Sequence, residues 1–150
     1  MFYTHTRIGK NGKEFKLYKF RSMVPNADEV LKELMKDKKI AEEYNKNKKL
    51  KNDPRITKVG KFLRKTSLDE LPQIFNILFG KMSIIGPRPA LWNQYDLIEE
   101  RDKYTGRYNL TPNQIRPGIT GWAQINGRDN NDDAEKALLD GEYMKNLSIW

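Results

Sequence analysis

Apolar positions near the start of the chain alternate, and then change period. Phe15 and Leu17, with Lys19 next in register, share one face of an extended segment, and Asn11-Gly12 is a two-residue turn signal. Residues 2–22 are therefore predicted to form a basic β-hairpin, with strands near 3–8 and 15–20. From Pro25 to about Asn47 the period becomes helical, through Val30, Leu31, Leu34 and Met35, then Ile40, Ala41 and Tyr44. Lysines and acids fill the other positions, so about 25–50 reads as an amphipathic, mostly solvated insertion. Asp53-Pro54 marks a break. A short basic helix follows, with Val59, Phe62 and Leu63 on one side and Lys58, Lys61, Arg64 and Lys65 on the other.

Leu71, Ile74, Phe75 and Leu78 then recur at helical spacing up to Gly80. A short apolar strand over 82–85 is closed by Gly86-Pro87-Arg88-Pro89. A helix is predicted over 91–104, a polar loop over 105–115, a glycine-rich stretch over 116–128 and a closing helix over 132–144. These elements predict an α+β fold: several short helices packed around a basic β-hairpin and small strands, with no large sheet. The 150 residues fit one domain.

The segment Ser67-Leu68-Asp69-Glu70-Leu71-Pro72-Gln73 places two carboxylates where a helix begins. Ser67 with Glu70 matches a capping box. A later start, with Pro72 in the first turn, fits equally well because proline disfavours helical geometry in the residue before it. Either start leaves Asp69 and Glu70 near the positive end of a helix dipole.

Composition narrows the chemistry. With 28 Lys+Arg against 20 Asp+Glu, the net charge of +8 favours anionic partners: phosphates, nucleic acid or acidic lipid. Zero cysteines exclude a disulfide framework, a zinc ribbon and thiol catalysis. His5 is the only histidine, so a metal would be held mainly by oxygen ligands, which suits Mg²⁺ or Mn²⁺. No run of about 18 apolar residues is available to span a bilayer. No nucleic-acid motif appears, and the basic residues are spread along the chain, so nucleic acid is not an expected partner. Arg88, bracketed by prolines that fix its backbone, reads either as a strand terminator or as a preorganised clamp for phosphate. Arg64, Arg116 and Arg128 flank turns or helix starts, and with an acidic pair they suggest a pocket for an anionic substrate and a bridging divalent ion. Trp122 and Gln124 either stack on and read a base or sugar, or, for Trp122, anchor the core.

Six blocks together resemble the bacterial sugar transferase family, the monotopic polyprenyl-phosphate phosphoglycosyl transferases. They are Arg7 to Lys13, Lys19 to Met23, Asp53 to Thr57, Arg64 to Gln73, Met82 to Pro89 and Arg116 to Arg128. The resemblance covers nearly the whole chain apart from 25–50 and 105–115. It implies transfer of sugar-1-phosphate from a UDP-sugar to undecaprenyl phosphate, releasing UMP, as the first step of capsule, exopolysaccharide, O-antigen or glycoprotein glycan assembly. It implies Asp69 as the nucleophile with Glu70 as its partner, a required Mg²⁺ held at Asp69 and Glu70, and Pro87, Arg88 and Pro89 at the uridine nucleotide. Glu70 either holds the metal or accepts the polyprenol phosphate's proton. Arg64, Gln124 and Arg128 complete the expected substrate contacts. Similar proteins carry an N-terminal hydrophobic re-entrant helix and continue with apolar residues beyond a position like Trp150. The chain is therefore read as a truncated catalytic domain whose full-length protein works at the cytoplasmic face of the inner membrane. No residue identified here selects the sugar.

Overall fold

In the computed structural model, residues 1–47, 49–127 and 131–147 are described. Strands β1 (Phe2–Ile8) and β2 (Glu14–Phe20) form the expected hairpin. Its connection is longer than the two residues predicted: Lys10–Gly12 make a 3-10 turn closed by a Gly9 N–H bond to the Lys13 carbonyl at 2.8 Å. Asn11 and Gly12 still take the positive φ values, +57° and +74°, that made them a turn signal. Antiparallel β4 (Ala90–Leu91) pairs with β1, giving the order β2-β1-β4. A second, parallel pair joins β3 (Ser83–Ile85) to β5 (Gly118–Thr120). With short helices and only these small sheets among the described residues, the architecture is α+β.

The chain divides into two compact units, Met1–Tyr3 with Lys19–Leu71, and Thr4–Tyr18 with Pro72–Trp150. In the first, the helical stretch after Pro25 is split into α1 (Ala27–Leu34) and α2 (Lys38–Asn47). The Asp37 carboxylate accepts from the Lys39 N–H at 2.9 Å, a local bond that starts the second helix. Helix α3 (Lys58–Thr66) is capped by Thr57, whose hydroxyl accepts from the Gly60 N–H at 2.9 Å. Its expected apolar face is exposed, Val59 at 68% and Phe62 at 59%. The buried face carries Gly60 instead, where a Cβ would fall 1.9 Å from the Ser22 carbonyl oxygen.

In the second unit, Phe15, Leu17 and Met82 form one core cluster with Ile77 and Ile119 against it. Ala90, Leu97 and Ala137 form another, covered by Ile8, Ile98 and Tyr104. The helix after the acidic pair, α4 (Gln73–Leu78), is only six residues and is turned around relative to expectation. Ile74, Phe75 and Leu78 are exposed, whereas Gln73 and Asn76 are buried. The reason is the Asn76 amide: it accepts from the Tyr18 N–H at 3.1 Å and donates to the Lys16 carbonyl at 2.8 Å, pairing with β2 as a strand backbone would. A buried amide satisfied at both ends outweighs the apolar periodicity.

The helix predicted over 91–104 is shorter, α5 (Tyr95–Asp102), because Ala90 and Leu91 are committed to β4. After β5 come α6 (Trp122–Ile125) and α7 (Asp133–Lys145), the latter opened by a capping box of Asp132 and Glu135.

Candidate active site

The acidic pair sits on a turn, and the expected Ser67–Glu70 capping box does not form. Ser67 instead ends α3 in the left-handed region, φ +58° and ψ 15°, and its side chain makes no cap bond. For a residue with a Cβ this conformation costs about 1 kcal/mol or more, and it persists where surrounding contacts impose it. Leu68–Glu70 follow as a 3-10 turn, closed by the Glu70 N–H on the Ser67 carbonyl and the Leu71 N–H on Leu68. The reversal buries Asp69 and leaves Leu68 and Leu71 outside. Pro72 directly precedes α4, nearer the later start weighed from sequence. A helix of six residues gives the pair little dipole support.

The two neighbouring carboxylates have different surroundings. Glu70 Oε1 lies 2.8 Å from Lys19 Nζ, and both side chains are about 20% exposed. Asp69 is 8% exposed, and its carboxylate receives no hydrogen bond from the described residues. Arg64 stands in the same unit, its Nε donating to the Ser22 hydroxyl at 2.8 Å. Ser22 is itself buried, and its carbonyl accepts from the Thr57 N–H at 3.1 Å. The segment from Lys19 to Ser22 is thereby tied to α3 and to the acidic turn.

Pro87, Arg88, Pro89 and Gln124 belong to the second unit. Pro87 and Pro89 are buried and Arg88 is exposed. The Pro87 carbonyl accepts from the Gly118 N–H at 2.9 Å, an approach that excludes a side chain at 118, where a Cβ would fall 2.1 Å from Gly86 N. Arg88 lines two small clefts, one with Arg7, Gln73 and Pro89, the other with Ile8, Arg101 and Asn113. Gln124 Oε1 is buried with no hydrogen-bond partner among the described residues. Trp122 is 43% exposed and its Nε1 donates to Glu142 at 3.0 Å, so it is not a core anchor. Arg128 lies outside the described residues.

Among the described residues no group of three or more His, Asp or Glu side chains could hold a metal. Asp69 and Glu70 fit Mg²⁺ in a narrower sense. This ion commonly uses one or two protein carboxylates, with water and substrate phosphates filling its octahedron, and the Asp69 oxygens accept no hydrogen bond from the described residues.

Three side chains that touch candidate residues, Lys19 in the first unit and Arg7 and Arg101 in the second, are not singled out by the sequence. Lys19 and Arg7 lie within the family-like blocks, which is the available signal. Arg101, surrounded in sequence by Glu99, Glu100 and Asp102, offers none.

A family profile described as bacterial sugar transferase matches residues 1–150. An undecaprenyl-phosphate galactose phosphotransferase of Salmonella typhimurium is 48% identical over 150 residues, 99% of this chain and 30% of its own length. Exopolysaccharide production protein ExoY of Sinorhizobium fredii is 45% identical over 150 residues, 99% of this chain and 63% of its own. A UDP-glucose:undecaprenyl-phosphate glucose-1-phosphate transferase of Escherichia coli is 42% identical over 156 residues, 100% of this chain and 30% of its own. The chain thus spans about 30% of the length of the Salmonella and Escherichia relatives.

Proposed function

Because the chain belongs to the bacterial sugar transferase family, we propose that it is the catalytic part of an enzyme moving sugar-1-phosphate from a UDP-sugar to undecaprenyl phosphate. The observation that carries this reading is Asp69, a buried carboxylate in the 3-10 turn after left-handed Ser67, which accepts no hydrogen bond from the described residues. A carboxylate not shielded by donors keeps its lone pairs for attack. An Asp69 oxygen attacks the sugar-bearing phosphorus of the donor. The bond from that phosphorus to the bridging oxygen breaks, UMP departs with the electron pair, and an aspartyl phosphosugar remains. An oxygen of the lipid phosphate then attacks the same phosphorus and the acyl phosphate bond breaks, returning the Asp69 carboxylate.

The remaining residues position and balance charge. Lys19 holds Glu70 beside Asp69 through the 2.8 Å ion pair, favouring for Glu70 a fixed, charged role next to the nucleophile. Arg88 meets the donor's diphosphate, with Pro87 and Pro89 limiting the freedom it would lose on binding. A Mg²⁺ held by Asp69 or Glu70 with the donor phosphates would neutralise charge as UMP leaves.

No helix among the described residues is long and apolar enough to cross a membrane. The exposed apolar residues Ile74, Phe75, Leu78 and Phe79 of α4 and its end, with Ile84 and Ile85 of β3, would rest on the cytoplasmic leaflet that holds the lipid acceptor. The test is rapid-quench mass spectrometry of the full-length protein turning over a UDP-sugar. A phosphosugar adduct on Asp69, absent from Asp69→Asn, is expected. Transfer without any adduct, or sustained UMP release by Asp69→Asn, overturns the mechanism.

A further inference from the structure

The three successive carbonyls of the Pro87-Arg88-Pro89 loop are each held by a different element. Gly118 of β5 donates its N–H to the Pro87 carbonyl at 2.9 Å, Arg101 of α5 donates Nη2 to the Arg88 carbonyl at 2.9 Å, and Arg7 of β1 donates Nη1 to the Pro89 carbonyl at 3.2 Å. Pro87 and Pro89 have no N–H of their own, so the loop cannot close a ladder, and outside donors must fix its register.

Arg101 is the most specialised of the three. It is 4% exposed, and its guanidinium is oriented by Asp140 of α7, itself 1% exposed, with Nε and Nη2 at 2.9 and 2.8 Å from Asp140 Oδ2. An ion pair serving only to join α5 to α7 would need the carboxylate alone. Here the same Nη2 also reaches the backbone of the residue whose side chain is presented outward. We infer that Arg101, aimed by Asp140, is a positioning residue for anion binding: it sets the backbone of Arg88, and so where that guanidinium meets a nucleoside diphosphate. The inference rests on the reading of Arg88 as the donor-diphosphate contact. Lysine is the poorer fit, because one ammonium replaces the Nε and Nη2 donors that the planar guanidinium sets against Asp140 while Nη2 reaches the Arg88 carbonyl.

The test is a double-mutant cycle read as the Kd for UDP, by calorimetry on the full-length protein with Mg²⁺ held constant. Arg88→Ala is expected to weaken UDP about tenfold and Arg101→Lys about fivefold. The double mutant should be within about twofold of Arg88→Ala alone, because Arg101 acts through Arg88. Additive losses, or an Arg101→Lys protein that binds UDP like the parent while Arg88→Ala does not, overturn the inference and leave the reading of Arg88 standing. Unchanged binding in Arg88→Ala removes that reading and the inference with it. If Arg101→Lys loses its melting transition, the paired change Arg101→Met with Asp140→Leu removes both buried charges together and enters the same cycle.

Discussion

Each compact unit contains a buried aspartate–arginine pair, and the two are built differently. In the first unit, Asp53 and Arg55 are two residues apart. Arg55 Nε and Nη2 take separate oxygens of Asp53 at 2.8 and 2.6 Å, and the Arg55 N–H adds a third bond at 3.0 Å. The Tyr44 ring lies 5.9 Å from the guanidinium carbon and covers it from α2. In the second unit, Arg101 and Asp140 are 39 residues apart, both donors fall on one oxygen, and the guanidinium also serves the Arg88 carbonyl. Burial pushes both aspartates upward from the ordinary value of 3.8. At Asp53 the side-chain and backbone bonds from Arg55 more than reverse it, so its pKa falls. At Asp140 burial prevails over the attraction of Arg101, and its pKa rises. The depth of burial together with the donors given to the carboxylate, rather than the existence of a pair, sets the sign: Asp140 is 1% exposed and Asp53 8%. The local pair is a closed staple, whereas the long-range pair shares its arginine with the site loop.

The largest expected effects follow from the proposed division between chemistry at Asp69 of the first unit and donor binding at Arg88 of the second. Asp69→Asn should reduce transfer by about 10³-fold or more at saturating donor, since no other group replaces the nucleophile. Arg88→Ala should raise the donor KM about tenfold while the Asp69 adduct still accumulates at saturation. Steady-state assays with quenched adduct measurement on the two variants check this. An Arg88→Ala enzyme that binds donor normally but forms no adduct would move the chemistry into the second unit.

Next in size is stability. Arg55→Ala leaves the Asp53 carboxylate buried without its partner, and a loss of about 3–5 kcal/mol is expected in urea unfolding. UDP affinity of the folded fraction should be unchanged. Arg101→Ala should lower both. If Arg55→Ala also weakens UDP while staying folded, the staple is not closed.

The α+β class, the hairpin and the Asp53-Pro54 break were legible because each rests on local chemistry: alternation, turn residues, a proline. The orientation of α3 and α4 was not. Periodicity identified the apolar stripes through Phe62 and Ile74, but the buried sides are decided by Gly60 meeting a backbone carbonyl and by Asn76 meeting β2. Both are long-range polar or steric contacts that leave no periodic trace. For the same reason Ser67 and Glu70 match a capping box that does not form, because Ser67 is left-handed and Glu70 pairs with Lys19. Of the candidate site, the acidic pair and the proline-bracketed arginine were visible as motifs. Arg7 and Arg101, which fix that arginine's backbone, sit 82 and 13 residues from their acceptors. Spacing alone gives no reason to pair them.

The smallest effect tests the comparison most directly, because the two pairs should respond to pH with opposite signs. Asp53 has a depressed folded pKa, so its contribution to stability is present above the ordinary 3.8 and is lost as pH falls through the folded value. Asp140 has a raised folded pKa, so its contribution is fully present below 3.8 and is lost as pH rises through the folded value. The quantity to follow is the unfolding free energy of each asparagine variant minus that of the parent, by urea titration from about pH 3 to 7. For Asp53→Asn this difference should fall as pH rises, because only the parent gains from ionisation. For Asp140→Asn it should climb over the same range, because only the parent must ionise a buried acid whose arginine is divided between two acceptors. Slopes of the same sign in the two variants would mean that the shared guanidinium of Arg101 satisfies Asp140 as fully as Arg55 satisfies Asp53. The distinction between a closed staple and a site-reaching pair would then fall.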